Sequence, residues 1–434
     1  MLPYISENYQ NRQKSEIKGM QMQIARDTYL NKLIKHKHNG FVKVISGIRR
    51  CGKSYLLFEL FKSHLLSAGV PGSHIIKIAL DDFKNKLYRN PNACYQFVTS
   101  QIQNDDMYYV MIDEVQMMDD FVDVINGLLH IKNLDIYVTG STSKFISSEI
   151  VTEFRDRGDE IRVYPLTFSE YYNAVGGEWD EAWKNYSMFG GMPALVNLDN
   201  DQEKVVYLDN LFKETYIRDI VERKKIRTHK QELDELVDIV ASGIGGLLNP
   251  EKLSRTFKSE KHIDISANTI KRYLDYLQDS FIISVAKRYN IKGKKYINTP
   301  SKYYFADIGL RNSRLNFRQQ EETHIMENVI YNELKFRGYN VDVGEITVFD
   351  NNEKKNVEID FVANLGDKRY YIQSALYLAN EDKTRQENRS LLGVKDSFPK
   401  IIIIKDNIKP YRNNNGVLTI GLRDFLLNPD SLDM

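Results

Sequence analysis

Short apolar runs alternate with segments of helical spacing in the first part of the chain. Residues 41–45 form a β-rich run that enters a glycine-containing turn, and residues 55–61 continue with helical spacing. Further strand candidates follow at residues 75–80, 108–112, 135–138 and 160–163. Because strands that alternate with helices are typical of βαβ units, the pattern predicts an α/β domain with a parallel sheet over residues 1–172.

The pattern becomes helical after residue 172. Residues 205–223 and 231–242 have the spacing of amphipathic helices, and residues 266–277 predict a third helix with a Ser or Asn cap. Residues 281–286 and 302–305 then resemble two strands on either side of a basic loop. Helices followed by a two-stranded wing predict a helical and winged-helix region over residues 173–318.

The last segment, residues 319–434, mixes helix and strand. A helix is expected at residues 325–336, and strands are expected at residues 357–363, 369–373 and 400–404. We therefore predict a third, α/β domain. Several domains suit a chain of 434 residues, because a single hydrophobic core rarely grows so large.

A phosphate-binding motif lies between the first predicted strand and the first predicted helix. Residues 47–54, Gly-Ile-Arg-Arg-Cys-Gly-Lys-Ser, satisfy G-x-x-x-x-G-K-[ST]. We expect Lys53 to bridge the β- and γ-phosphates of ATP and Ser54 to ligate Mg²⁺. The alternative is a glycine turn that only caps a helix. The expected nucleotide-binding residues are Gly47, Ile48, Arg49, Arg50, Cys51, Gly52, Lys53, Ser54 and Tyr55.

Acidic and polar residues end two later strands. Asp113 and Glu114 follow the apolar run 108–112, an arrangement in which Asp113 acts on Mg²⁺ and Glu114 is the base for the attacking water. The alternative is two solvated acids at a strand end. Thr139 and Ser141 end the next strand, where a polar side chain could sense the γ-phosphate, although Thr-Gly-Ser also serves as a turn and helix cap.

Two arginines follow the second of these strands. Arg155 and Arg157 could supply positive charge to the transition state, within one chain or across the interface of a homo-oligomer. A surface salt bridge is the alternative.

The overall charge is balanced and points to no class of partner. Sixty Lys and Arg residues against fifty-nine Asp and Glu residues give a formal net charge of +1, so a nucleic-acid or membrane partner would need a local patch. Cys51 and Cys94 are too few for a disulfide framework, which favours a reducing compartment. Because we find neither a signal peptide nor an apolar membrane span, we expect a cytoplasmic protein.

The motifs together resemble a known family. Residues 45–54, 110–116, 139–141 and 163–171 resemble the bacterial and archaeal AAA-type ATPases that carry a C-terminal domain of unknown function, and the likeness continues at 190–193, 304–310 and 327–334. The resemblance implies an AAA-type P-loop ATPase core, a winged-helix middle and a terminal domain similar to the PD-(D/E)XK, or restriction-endonuclease, fold.

The terminal domain departs from the motif of active nucleases. Glu327 and the acids Glu358 and Asp360 could belong to a metal site, but Gln373 and Ala375 stand where the nucleases have Glu and Lys. A neutral amide is a poor metal ligand and Ala cannot activate water. We therefore expect a scaffold or binding module that does not cut DNA.

A basic helix and a basic loop are the candidate DNA contacts. These residues are Lys271, Arg272, Lys292, Lys294 and Lys295. Winged helices also bind proteins, and charged faces are often only solvated. The first hypothesis is an ATPase that couples its nucleotide state to movement of the other domains, with DNA as a candidate partner. The alternative is a slow regulatory or signalling ATPase whose terminal domain binds a protein.

Overall fold

A parallel sheet forms the core of the N-terminal part of the protein. The computed structural model describes residues 24–141, 158–226, 230–350, 353–377 and 381–434. All neighbouring strands of this sheet run parallel, in the order β2-β3-β4-β1-β5, which confirms the predicted α/β domain. Its strands are β1 (Val42–Ser46), β2 (Ile75–Ala79), β3 (Tyr108–Asp113), β4 (Leu134–Gly140) and β5 (Gly158–Arg162).

Helices cover both faces of this sheet. Successive residues of a strand point to opposite faces, so Val44 packs in one apolar cluster and Ile45 in the other. The covering helices are α1 (Asp27–Lys35), α2 (Lys53–Tyr55, the π-helical Leu56–Phe61 and Lys62–Ser67), α3 (Pro91–Ser100) and α4 (Phe121–Leu128).

A helical region follows the parallel sheet. Thr167 and Glu170 form a capping box at the start of its first helix, where each side chain accepts a hydrogen bond from the other residue's backbone N–H. The helices are α5 (Phe168–Val175), α6 (Trp179–Phe189), α7 (Asp201–Asn210, the π-helical Leu211–Ile217 and Arg218–Arg223), α8 (Lys230–Ser242), α9 (Pro250–Glu260) and α10 (Ala267–Asp279).

A second sheet joins the end of the helical region to the terminal segment. Its order is β13-β14-β12-β11-β10-β9-β7-β8-β6. The strands are β6 (Leu247–Leu248), β7 (Ile283–Asn290), β8 (Lys295–Phe305), β9 (Asn340–Asp350), β10 (Glu353–Leu365), β11 (Lys368–Ala375), β12 (Lys400–Ile404), β13 (Tyr411–Arg412) and β14 (Leu418–Gly421). The helices of this part are α11 (Ile308–Arg314), α12 (Glu322–Phe336), α13 (Glu381–Gly393) and α14 (Leu422–Leu427).

The hairpin β7–β8 is longer than the sequence pattern predicts. Strand β7 extends to Asn290, and strand β8 begins at Lys295. The last residues of β7 also pair in parallel with β9, in the register Arg288↔Val343. The predicted wing is therefore part of the same sheet as the terminal strands.

Asp307 connects the helical region to the second sheet. Its carboxylate accepts hydrogen bonds from the backbone N–H of Gly191, at 2.6 Å, and of Leu310, at 3.1 Å. A Cβ atom at Gly309 would lie 1.8 Å from the carbonyl oxygen of Phe189, so only glycine fits there. Two segments that are far apart in sequence, 190–193 and 304–310, thus meet in one buried junction.

Candidate nucleotide-binding site

The loop between β1 and α2 has a backbone that needs glycine at two positions. Gly47 has φ of +144°, and a Cβ atom there would lie 2.1 Å from the carbonyl oxygen of Val163. Gly52 has φ of +100° and immediately precedes α2. The loop therefore leads directly into the N-terminal end of a helix, where backbone N–H groups and the helix dipole favour a bound anion.

Lys53 is buried against its own loop. Its side chain is 4% exposed, and Nζ donates hydrogen bonds to the carbonyl oxygens of Gly47, at 3.0 Å, and Ile48, at 3.1 Å. Within the described part of the chain, no carboxylate lies within ion-pair distance of this ammonium group. Its positive charge is thus held beside the loop without a counter-ion.

Hydroxyl groups from two different elements converge on Asp113. Ser54 Oγ donates to Asp113 Oδ2 at 2.7 Å, and Thr139 Oγ1 donates to Asp113 Oδ1. Burial raises the pKa of Asp113, and the hydrogen bonds from Thr139 and Ser54 offset this only in part. The parallel sheet places these residues together because β3 and β4 are neighbours and β1 leads into the loop.

Glu114 is held in place by polar neighbours. It has φ of +51°, its backbone N–H donates to Thr139 Oγ1 at 3.0 Å, and its Oε2 accepts from Ser141 Oγ at 3.1 Å. Gln116 Nε2 also donates to this Oε2 atom. Sequence reasoning missed Gln116, although it ends the motif segment 110–116.

A cavity of about 480 Å³ opens in front of the loop. The side chains of Ile48 and Cys51 are buried in the apolar cluster, so these two residues can offer a ligand only their backbone. Thr139 and Ser141 are also buried, behind Asp113 and Glu114. The lining residues are Arg49, Arg50, Gly52, Lys53, Ser54, Tyr55, Asp81, Glu114, Met117, Glu214 and Thr215.

The far wall of the cavity belongs to α7. Glu214 and Thr215 line it, Tyr216 OH donates to the carbonyl oxygen of Arg49 at 2.9 Å, and Arg49 Nη2 lies 3.3 Å from Asp219 Oδ1. Arg49 Nε in turn donates to Ser141 Oγ at 3.3 Å. Sequence reasoning did not include these α7 residues or Asp81, because nothing in the local pattern indicates that they face the loop.

Comparison with known proteins places the chain among AAA-domain proteins. The AAA domain family model matches residues 39–172, and the model of a domain of unknown function (DUF8612) matches residues 180–321. An uncharacterized protein of Haemophilus influenzae is 32% identical over 413 residues, which cover 93% of this chain and 98% of that protein. This chain belongs to the same family. The findings support an AAA-type P-loop ATPase.

A second relative is less similar to this chain. An uncharacterized protein of Methanocaldococcus jannaschii is 28% identical over 381 residues, which cover 84% of this chain and 80% of that protein. Among solved structures, Cdc6p from Pyrobaculum aerophilum has 11% identity and a TM-score of 0.30, and covers 72% of this chain and 98% of its own. The Aeropyrum pernix ORC1 protein in complex with DNA has 11% identity and a TM-score of 0.28, covering 68% and 93%.

The candidate DNA contacts of this family member lie away from the cavity. Lys271 and Arg272 are exposed on α10, and Lys292, Lys294 and Lys295 are exposed at the tip of the β7–β8 hairpin. Arg155 and Arg157 lie outside the described residues. In the ranges that the structure covers, no helix is long and apolar enough to cross a membrane.

Proposed function

We propose that this AAA-type protein binds Mg-ATP in the cavity before the β1–α2 loop and hydrolyses it. The observation that carries the proposal is the meeting of Lys53, Ser54, Asp113 and Glu114 at one edge of the parallel sheet, beside a cavity of about 480 Å³. The loop N–H groups and Lys53 bind the phosphates, since both supply positive charge where the β- and γ-phosphates would lie.

The residues beside Lys53 fit Mg²⁺. Ser54 Oγ and Asp113 Oδ2 are 2.7 Å apart, and hard oxygen donors of this kind are the ligands that Mg²⁺ takes in proteins. We propose that Ser54 holds the ion directly and that Asp113 acts through its water shell. When bound, Mg²⁺ neutralises developing charge on the phosphates.

Glu114 acts as the base for the attacking water. Its Oε2 atom is oriented by Ser141 and Gln116, and its backbone by Thr139, so one carboxylate oxygen has a fixed direction. A positioned carboxylate near the γ-phosphate accepts the water's proton as the water oxygen bonds to the γ-phosphorus. The bond from that phosphorus to the β–γ bridging oxygen breaks, and ADP leaves. Thr139 and Ser141 are in this proposal orienting residues that do not themselves reach the cavity.

The wall formed by α7 is the proposed route from nucleotide to the rest of the chain. Arg49 donates a hydrogen bond to Ser141 and forms an ion pair with Asp219 on α7. A movement of the loop on nucleotide binding or phosphate release therefore acts on α7 directly. The order α8, β6, α9, α10 and the β7–β8 hairpin, with β6 paired to β8, supports a winged-helix unit beyond it. We propose that nucleotide state repositions this unit.

Isothermal titration with ATP tests the proposed site. The protein should bind ATP in the presence of Mg²⁺, bind it more weakly with EDTA, and release phosphate only when Mg²⁺ is present. Failure to bind ATP under either condition would contradict the proposal.

DNA is the proposed effector. Lys271 and Arg272 are exposed on one helix of the proposed winged-helix unit, and the hairpin tip adds three lysines. Side chains of this kind neutralise phosphates and give salt-dependent binding. The test is stimulation of phosphate release by duplex, branched or single-stranded DNA, with Lys271→Glu/Arg272→Glu as the variant and Lys132→Glu, exposed in the N-terminal part, as the matched control.

A groove beside the hairpin favours a second candidate, a regulatory ATPase that binds a protein. The groove holds about 1200 Å³ and has a buried apolar floor that includes Ile346, Val348 and Val394. Its rim carries four basic residues and one acid: Lys292, Lys294, Arg389, Lys395 and Asp396. An apolar floor with a basic rim suits a peptide with apolar anchors and acidic flanks. Hydrolysis that no DNA stimulates would favour this candidate over the first.

A further inference from the structure

A buried lysine lies among the carboxylates of the terminal part of the chain. Lys302, on β8, is 2% exposed, and its Nζ lies 2.9 Å from Glu327 Oε1 on α12 and 2.6 Å from Glu358 Oε1 on β10. Tyr304 OH also donates to Glu327 Oε1, at 2.6 Å. The ammonium group thus occupies the centre of the acids that the sequence indicates as a possible metal site.

A third acid, Asp360, completes this cluster. Its Oδ2 accepts a hydrogen bond from the backbone N–H of Ser374 at 2.8 Å, and its side chain is buried. Burial, with the nearby charge of Glu327, raises the pKa of Asp360 well above its usual range. Burial also acts to raise the pKa of Glu327, but His324, Lys302 and Tyr304 outweigh it and lower that pKa. By distance, the Lys302 ammonium group forms ion pairs with both Glu327 and Glu358.

The same geometry leaves no room for a divalent ion between the acids. Mg²⁺ binds carboxylate oxygens at about 2.0–2.1 Å, so it would need the space that the Lys302 ammonium fills. Gln373 and Ala375, on the adjacent strand β11, bring neither a carboxylate nor a cation. Over the described residues, no group of three or more His, Cys, Asp or Glu side chains is arranged to hold a metal.

We propose that Lys302 is the resident cation of this cluster, taking the place of a metal ion and clamping the β7–β8 hairpin to the terminal part of the chain. Lys302 belongs to the segment that the DUF8612 model matches, whereas Glu327, Glu358 and Asp360 follow it. The Lys302–Glu327 ion pair therefore joins the segment that the family model matches to the segment that follows it. The cluster is structural, and its stability needs the lysine and no metal.

Thermal unfolding of Lys302→Met tests the clamp. Removing the ammonium leaves the buried Glu327 carboxylate without its lysine, although Tyr304 still donates to it. Breaking a buried ion pair from one side is strongly destabilising, so the melting temperature should fall by several degrees. The double variant Lys302→Met/Glu327→Gln should recover most of the loss, because the uncompensated charge is gone. Lys302→Arg is the charge-preserving control. A Lys302→Met protein as stable as the wild type would contradict the proposal, and should that variant not fold, the double variant gives the comparison.

Manganese binding tests the second half of the proposal independently of stability. The protein used is full-length Asp113→Asn, which lacks an acid of the proposed nucleotide site, and bound Mn²⁺ is counted by electron paramagnetic resonance. We expect no tightly bound Mn²⁺. A bound ion that disappears on adding Asp360→Asn would show that the cluster is a metal site and overturn the proposal. This result does not depend on whether the protein hydrolyses ATP.

Discussion

Two of the buried lysines in the described part of this protein, Lys53 and Lys302, differ in what their ammonium groups contact. Lys53 donates hydrogen bonds to two carbonyl oxygens of its own loop. The nearby Asp113 carboxylate accepts hydrogen bonds from the hydroxyl groups of Ser54 and Thr139. Lys302 bonds to Glu327 and Glu358 directly. In the first site the opposite charges are kept apart, and in the second they pair directly with each other.

The difference explains why only the first site suits chemistry on phosphates. A site that binds Mg-ATP must offer its cation to phosphate and its carboxylate to the metal, so pairing them with each other would remove both functions. Lys53 and Glu114 line the cavity of about 480 Å³, whereas the cavity of about 320 Å³ beside the second cluster is lined by Glu358 and Gln373 and not by Lys302. A lysine close to acidic residues thus indicates a catalytic site only where the ammonium group and the carboxylates do not form ion pairs with each other.

Lys53→Ala gives the largest expected effect at the first site. The lost ammonium makes charge-assisted hydrogen bonds to phosphate, and its removal should weaken ATP binding by about 100-fold, on the scale of the strongest single charged contacts. Isothermal titration measures this, with Lys62→Ala on the same helix as control. Unlike Lys302→Met, the variant should keep nearly wild-type stability, because Lys53 has no carboxylate partner among the described residues. An unchanged dissociation constant would argue against the site.

Glu114→Gln should separate binding from hydrolysis. The amide keeps the size of the side chain and removes the base, so kcat should fall on the order of 100-fold or more while the affinity for ATP changes little. Steady-state phosphate release and titration of ATP give the two quantities. Hydrolysis at the wild-type rate would mean that another group is the base.

The sequence predicts the first site far better than the second. The loop motif and the strand that ends in Asp113 and Glu114 are local patterns, and the alternation of strands and helices predicts the parallel sheet that brings them together. The close approach of Gly47 to the carbonyl oxygen of Val163 is a tertiary contact that no local pattern shows. The loop motif nevertheless already requires glycine at this position.

The second site depends on contacts that no local pattern contains. In the sequence, nothing distinguishes Lys302 from other residues of its strand. Its partners Glu327 and Glu358 lie on a helix and a strand that follow it in the chain. The α7 residues Glu214 and Thr215 were missed for the same reason, since they reach the cavity only through the packing of a distant helix. Periodicity predicts elements, and it does not say which side chains of distant elements meet.

Ser141→Ala is expected to have a smaller effect than Glu114→Gln. Ser141 donates one hydrogen bond to Glu114 Oε2, and Gln116 donates another, so the carboxylate keeps part of its orientation without the hydroxyl group. The loss of about 1 kcal/mol typical of one such bond predicts a fall in kcat of about fivefold, with ATP affinity retained. Ser100→Ala, exposed on α3, is the matched control. A loss as large as that of Glu114→Gln would place Ser141 in contact with the reacting groups.

The last prediction is that the second site has no DNA-cleaving activity. Glu358 and Asp360 keep their carboxylates, but the Lys302 ammonium group pairs with Glu358, and Gln373 and Ala375 supply neither a carboxylate ligand nor a cation. Phosphodiester cleavage needs metal charge and a general base, and losing both removes several orders of magnitude in rate. The protein should therefore leave linear, circular and branched DNA intact with either Mg²⁺ or Mn²⁺. A Glu358→Ala/Asp360→Ala double variant controls for contaminating nucleases. Cleavage by the parent that the double variant lacks would show that the second site, like the first, keeps its charges available.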